Sequence, residues 1–225
     1  MERARSFQPL DELEVTVRMR ATDGGRFDEA VSGRAGLALS AMEPWAQHEI
    51  ARCQRYATIE VNAPDSSARA LVQAAEALLH ALAEAGELSW ALDASTAAWR
   101  TPAQILKRPT DRPFDADDHF LVVVEAIERA PGVGHLVRTR GLGKFGRPDV
   151  AMHAPRAEAE RVAAWVRAVA RQGAMGEPFL PGRRLSLPSL PPLALWPKSE
   201  DGLSPAPPDE APIYELKEGG LALVR

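Results

Sequence analysis

The chain has 225 residues, of which 45% are hydrophobic and 26% charged, a composition typical of an ordinary globular protein with one large or two small domains. Its formal net charge of −4 gives no positive field for general nucleic-acid binding. The single cysteine, Cys53, excludes an internal disulfide and a multi-cysteine zinc site, and it suits a reducing compartment.

The first thirty residues show no apolar core of a signal peptide. No later stretch approaches the roughly 20 consecutive apolar residues that a membrane helix requires. We therefore expect a cytoplasmic protein that makes no contact with membranes.

In the first third of the chain, two segments alternate apolar and polar side chains with the period of a half-buried strand. They are residues 13–20 and residues 56–62, and the second is rich in β-branched side chains. Between them, residues 27–32 fit a short helix and residues 36–42 a short buried strand. Residues 44–53 show no clear pattern.

The clearest helix follows the second strand. Ser66 lies where a helix N-cap belongs and Gly86 where a helix ends, and between them apolar side chains recur at helical spacing at Leu71, Val72, Ala75, Leu78, Leu79 and Leu82. A strand over residues 88–92 is expected to return behind this helix. A further short helix is expected to begin at Thr101-Pro102 and to run to Lys107.

The middle of the chain predicts the antiparallel part of a sheet. Residues 120–127 and 135–140 read as two strands joined by a turn at Pro131-Gly132, and residues 150–153 as another strand. Residues 155–172 predict a second long helix that ends at Gly173, with an inward face formed by Val162, Trp165, Val166 and Val169.

The C-terminal part differs in composition. Residues 177–212 are rich in proline and leucine without a helical or strand period, which predicts an extended arm packed on the core. Residues 213–225 regain strand character around Gly219-Gly220 and predict a strand or hairpin. The sequence thus predicts an α+β core domain over residues 1–176, with a mixed or mainly antiparallel sheet and two principal helices.

A glycine run between two predicted strands matches the G-x-G-x-x-G pattern of dinucleotide sites at Gly141, Gly143 and Gly146. That chemistry requires the glycine turn to open directly into a helix whose N-terminal amides hold the pyrophosphate. Here Pro148 follows and disfavours helical geometry at Arg147. We therefore interpret Gly141, Gly143, Gly146 and Pro148 as a structural turn, and we expect no cofactor.

The same run, from Thr139 to Asp149 (TRGLGKFGRPD), resembles a "T-x-G-x-x-x-F-G-x-P-[DE]" signature of bacterial families described as domains of unknown function. The resemblance covers roughly residues 13 to 172. It implies a small cytoplasmic α+β protein, and some members of such families are suspected of roles in toxin–immunity or secretion-associated gene clusters. It assigns no catalytic residues, and Val150 stands where leucine is expected.

An acidic group precedes the strand at residue 120. Carboxylate oxygens and an imidazole nitrogen are common metal ligands, so a metal-assisted hydrolase or transferase is the alternative reading of Asp115, Asp117, Asp118 and His119. The spacing lacks the glycine and remaining ligands of a calcium loop, which favours a solvated acidic loop.

Two other groups have a catalytic and a structural interpretation. Glu76, His80 and Glu84 recur every four residues on the polar face of the first long helix, where solvated pairs are commoner than a catalytic base or metal site. His48 and Cys53 raise the question of a cysteine nucleophile. No family-specific cysteine signature surrounds Cys53, so we predict a packing role.

Tryptophan is the last unusual feature, with five tryptophans against two tyrosines. Trp165 belongs to a helix face, whereas four others are candidate anchors of a recognition surface, namely Trp45, Trp90, Trp99 and Trp196. Core filling is the alternative for each of them. We therefore expect a non-catalytic protein-binding factor, such as an immunity or adaptor protein, that binds another protein and has a homodimer as a second option.

Overall fold

The chain divides into two compact units, Met1–Pro113 and Phe114–Arg225. The sequence predicts one core domain over residues 1–176, and this domain assignment stays a prediction. The computed structural model describes residues 14–21, 34–53, 55–62, 68–108, 113–129, 132–180, 182, 184–185, 187, 193–197 and 213–218. The helix predicted at residues 27–32, the N-cap at Ser66 and the turn at Gly219-Gly220 lie outside these residues.

The first unit combines helices with two separate antiparallel strand pairs. Strand β1 pairs with β2 over their full length, and β3 pairs with β4. Its described elements are β1 (Glu14–Ala21), α1 (Arg34–Ser40), α2 (Pro44–Ala51), β2 (Arg55–Asn62), α3 (Ala68–Glu84), β3 (Ala91–Asp93), β4 (Ala98–Arg100) and α4 (Pro102–Leu106).

Local chemistry sets the ends of two of these helices. After α3, Gly86 adopts a φ of 73° and the Glu87 N–H donates to the Leu82 carbonyl at 3.1 Å, the arrangement that satisfies the last helical carbonyls. Helix α4 begins with a reciprocal capping box between Thr101 and Gln104. The end of α3, β3 and α4 then share a small core formed by Leu79, Ala83, Leu88, Ala91 and Ile105.

Two predictions in the first unit were wrong. Residues 36–42 form no strand, because Arg34–Ser40 is helical. Leucine and alanine favour helices and the segment has no β-branched residue, so its short alternation was a poor strand signal. The strand predicted at residues 88–92 is shorter and later, at Ala91–Asp93, and it pairs with β4.

The second unit contains a six-stranded sheet in the order β5-β6-β7-β10-β9-β8. Strand β10 runs parallel to β7 and antiparallel to β9, and the other neighbours are antiparallel. The sheet is therefore mixed, and the predicted α+β class is confirmed. Its strands are β5 (Leu121–Arg129), β6 (Gly132–Arg140), β7 (Asp149–Pro155), β8 (Arg184–Leu185), β9 (Leu193–Pro197) and β10 (Ile213–Glu218).

Helix α5 (Ala159–Ala174) packs on β5, β6 and β7. Its predicted inward residues are buried, as are Ala170 and Gly173. Gly173 lies inside the last turn rather than ending the helix, and a Cβ atom there would overlap the ring of Phe179. The chain leaves the helix at Gly176, which has a φ of 108°.

The proline-rich segment contributes strands to the sheet. Within it, β8 and β9 pair with each other, and β9 also pairs with β10. Leu193, Ala194 and Leu195 are all essentially inaccessible, so both faces of β9 are covered. Among the described residues no helix has the length and apolar character needed to cross a membrane.

Candidate functional site

The most exposed large aromatic side chain of the described residues is Trp45, which lies in the first turn of α2 and is 58% exposed. Its ring centre lies 6.0 Å from that of Trp90, in the loop before β3, with a tilt of 46° between the planes. This spacing and tilt fall within the range of favourable aromatic pairs. The two residues form an aromatic pair that faces solvent on the Trp45 side.

Helix α2 separates a buried face from an exposed one. Ala46 and Ile50 are one turn apart and almost completely buried. Trp45 and the residues that follow it at intervals of three or four lie on the other side, and all are exposed: His48, Glu49 and Arg52. We call this set, with Trp90, the α2 face.

The position of Trp45 is set by the start of α2. Pro44 occupies the first turn, where its missing N–H is no loss. The Gln47 side chain donates from Nε2 to the Met42 carbonyl at 2.7 Å, which holds the preceding turn against the helix. Trp45 is therefore presented from a regular helix and not from a loose loop.

The other two candidate tryptophans lie in strands and are half-buried. Trp99 stands in β4 opposite Leu92, in the same unit as Trp45 and Trp90. Trp196 stands in β9 of the second unit, and a Cβ on Gly182 would lie 3.4 Å from the Trp196 ring. The ring contact between Trp45 and Trp90 brings two of the four candidate tryptophans together.

The acidic group lies around a short 3₁₀ helix, Ala116–Asp118, in the second unit. Asp115 caps it by accepting from the Asp117 N–H at 3.1 Å. Asp117 in turn accepts from Arg171 of α5, whose Nε lies 3.2 Å from Oδ1, and this carboxylate raises the pKa of Arg171. No group of three or more side chains suited to hold a metal ion occurs among the described residues, which include all of 115–119.

His119 serves as part of an aromatic stack. It is only 8% exposed, and its ring lies parallel to that of Phe114 with the centres 5.0 Å apart. Phe145 meets this stack edge-on, with its ring centre 6.4 Å from that of His119. The hydrolase or transferase reading needs Asp117 and His119 accessible to substrate. Asp117 stays partly exposed in its ion pair with Arg171, whereas His119 is covered by phenyl rings.

The glycine run forms a tight connection between β6 and β7, with a 3₁₀ helix at Leu142–Phe145. Gly141 and Gly146 adopt φ values of 108° and 62°, whereas Gly143 is not among the positive-φ residues. Asp149 joins the two sides, because its Oδ1 accepts from the Thr139 hydroxyl at 2.9 Å and from the Leu142 N–H at 3.2 Å. Pro148 is the residue before Asp149, and α5 begins ten residues later.

The two remaining groups are Glu76, His80 and Glu84 on α3, and His48 with Cys53. Glu76 binds Arg100 of β4 in a bidentate ion pair at 2.8 and 3.0 Å, whereas His80 lies 3.5 Å from Glu84. His48 is exposed. Cys53 is half-buried, and burial together with the Glu49 charge raises the pKa of its thiol, which disfavours a nucleophilic thiolate.

Sequence reasoning missed an ion-pair cluster on the sheet of the second unit. Arg138 donates to Glu125 Oε1 from Nη2 at 2.7 Å and from Nε at 3.2 Å, and Arg140 donates to the same oxygen at 2.9 Å. A charged residue inside the apolar stretch of β5 was the available signal. The cluster neutralises Glu125, the only charged residue between Leu121 and Ile127.

Sequence reasoning also missed the helical face that presents Trp45. The signal was the pair Ala46 and Ile50 after Pro44, too short a pattern to identify a helix.

Comparison with protein-family models, with curated proteins and with solved structures finds no match to this chain.

Proposed function

We propose that this chain is a non-catalytic protein-binding factor of a bacterial cytoplasm, of the immunity or adaptor kind, and that it binds its partner protein through the α2 face. The observation that carries the proposal is the exposure of Trp45 beside Trp90. Tryptophan is rarely left in water on a monomer surface, and it is enriched among the residues that dominate protein interfaces.

The surroundings of Trp45 support a protein partner. Exposed polar residues follow it along α2, so an apolar centre is bordered by a polar rim. The helix holds the indole in place before binding, which limits the conformational entropy lost on association. Trp90 supports the ring from one side.

The charges on the α2 face constrain the partner. Arg52 carries a positive charge and Glu49 a negative one, so the rim carries both signs. Such a rim selects a partner with a complementary arrangement of charges rather than a uniformly charged polymer, in keeping with the net charge of −4.

Affinity capture with paired variants tests this proposal. Tagged wild type, Trp45→Ser and Leu180→Ser are used to capture proteins from an extract of the source organism, with quantitative mass spectrometry. Leu180 is a matched control because it is 51% exposed and lies in the other unit. Loss of a hot-spot tryptophan corresponds to about 2 kcal/mol or more, roughly a thirtyfold weaker binding.

The expected result is one protein that wild type and Leu180→Ser retain and Trp45→Ser loses, followed by direct binding of the purified pair with the same ranking. Arg52→Glu is expected to weaken the pair without abolishing it, because a rim charge contributes less than a buried anchor. Equal retention by wild type and Trp45→Ser, with both variants folded by circular dichroism, would refute the proposal.

A further inference from the structure

Strand β5 lies at an edge of the six-stranded sheet and lacks the usual protection of such edges. In the described part of the chain its only neighbour is β6, and the two pair without a bulge from Leu121 to Arg129. The strand contains no proline. Natural edge strands are normally short, bulged, charged or covered, because exposed N–H and C=O groups pair readily with another strand.

The other edge of the same sheet provides a contrast. Strand β8 has two residues, which is the short type of edge that offers little backbone for pairing. β5 has nine residues, and its side chains Leu121 and Val124 are 42% and 44% exposed although both are apolar. Leu121 and Val124 point to opposite faces of the sheet, so apolar surface is exposed on both faces of this edge.

Of the three charged residues in β5, Glu128 and Arg129 lie at its hairpin end, outside residues 121–127, and Glu125 lies in the middle of the strand. Glu125 is bound by Arg138 and Arg140 of the neighbouring strand, at 2.7 and 2.9 Å. A neutralised carboxylate held towards β6 repels an incoming strand less than a free one. Three properties of this edge therefore favour pairing with another strand: its backbone without a bulge, its exposed apolar side chains and its ion-paired Glu125.

We infer that β5 pairs with β5 of a second copy of this chain, antiparallel about a two-fold axis at Val124. The last pair of the two strands is Arg129 with Gly132, which are separated by two residues in the sequence, so the backbone groups of Arg129 point to β6. Those of Val124 alternate to the opposite side and point outwards. A two-fold axis at Val124 therefore lets the outward-pointing N–H and C=O groups of the two copies form hydrogen bonds with each other.

The side chains favour this register over its neighbours. An axis at Glu125 places the two Glu125 carboxylates directly opposite one another, which is destabilising. An axis at Ala126 leaves the exposed Leu121 outside the pairing. With the axis at Val124, the two Val124 side chains lie opposite one another, and Leu121 of each copy lies opposite Ile127 of the other. Such aliphatic and β-branched cross-strand pairs are stabilising.

Sedimentation and cysteine cross-linking test the inference, which does not depend on the α2 face. Wild type is expected to form a dimer as concentration rises, and Val124→Lys is expected to raise its dissociation constant by about tenfold or more, since two ammonium groups then meet. Met175→Lys, at a position that is 54% exposed in the same unit, is the control and leaves the dimer unchanged.

Cross-linking reports the register directly. In a Cys53→Ala background, Val124→Cys places two thiols on residues whose Cα atoms are about 5.5 Å apart, within disulfide reach. Leu121→Cys places them about 20 Å apart. Oxidation is expected to link the first variant and not the second. A wild type that stays monomeric at about 100 µM, a dimer unaffected by Val124→Lys, or equal cross-linking of both variants overturns the inference.

Discussion

The connection between β6 and β7 allows a stability prediction from two glycines three residues apart. Gly146 has φ 62° and ψ 28°, which is the left-handed region that disfavours L-residues, and a Cβ atom there would meet no heavy atom within 4 Å. Gly146→Ala therefore introduces backbone strain without a steric clash. The expected loss is about 1–2 kcal/mol in the free energy of unfolding of this region.

Gly143 is the matched control for Gly146. It lies inside the 3₁₀ turn without a positive φ, and a Cβ atom there also meets nothing within 4 Å. Gly143→Ala removes conformational freedom from the unfolded chain, so it is expected to stabilise by about 0.4–1 kcal/mol. The two variants should then differ by roughly 1.5–3 kcal/mol with the same atoms added.

Native-state hydrogen exchange measures this difference. Because the chain has two compact units, a single melting temperature does not report one transition, whereas exchange of peptides from β6 and β7 reports the local opening free energy. Equal effects of the two alanines, or a larger loss at Gly143, would show that φ at Gly146 is not the reason for glycine there.

The remaining two predictions concern Cys53 and the C-terminal strands. Because burial and Glu49 raise the pKa of the Cys53 thiol, iodoacetamide should react with it slowly at neutral pH and faster as pH rises. Rapid alkylation at neutral pH would contradict this expectation. Cys53→Ala should lower stability only modestly. Trypsin should cut slowly at Arg184 in the native protein, because Arg184 is paired with Ala194 in the sheet; rapid cleavage there with a folded fragment of residues 1–184 remaining would contradict this.

The parts of the fold that the sequence predicted well are those with a regular period. β1 and β2 alternate over eight residues, and α5 places Val162, Val166 and Val169 at helical spacing. In α5 one face is buried and the other is exposed, so the helical period of its apolar residues records the geometry directly. The hairpin of β5 and β6 was also predictable, because its turn is local in sequence.

Strands buried on both faces escaped prediction for a physical reason. Leu193, Ala194 and Leu195 are all buried, so β9 shows no alternation, and the surrounding prolines resemble an extended arm. The pairing of β10 between β7 and β9 joins segments far apart in sequence, and no local pattern records such a partner. Helix α1 was predicted as a strand for a different reason, because a seven-residue segment in which leucine alternates with small residues fits both a helical and a strand period.

The tryptophans of the candidate site could be identified from the sequence, but which of them are exposed and lie together could not. Trp45 was identified as a recognition candidate, but no helical pattern was visible around its neighbours Ala46 and Ile50. Exposure is decided by tertiary packing, which sets whether a tryptophan fills a core or faces water. The grouping of Trp45 with Trp90 likewise depends on the approach of α2 to the loop before β3.

The order of strands gives the C-terminal segment a structural role in the second unit. β10 is an inner strand, with β7 on one side and β9 on the other, so its backbone groups satisfy both neighbours. Without β10, β7 becomes an edge although Val150, Ala151 and Met152 are buried on both of its faces. A strand of that composition is suited to the interior of a sheet and not to its edge. The C-terminal segment therefore completes the sheet, because β10 makes β7 an inner strand.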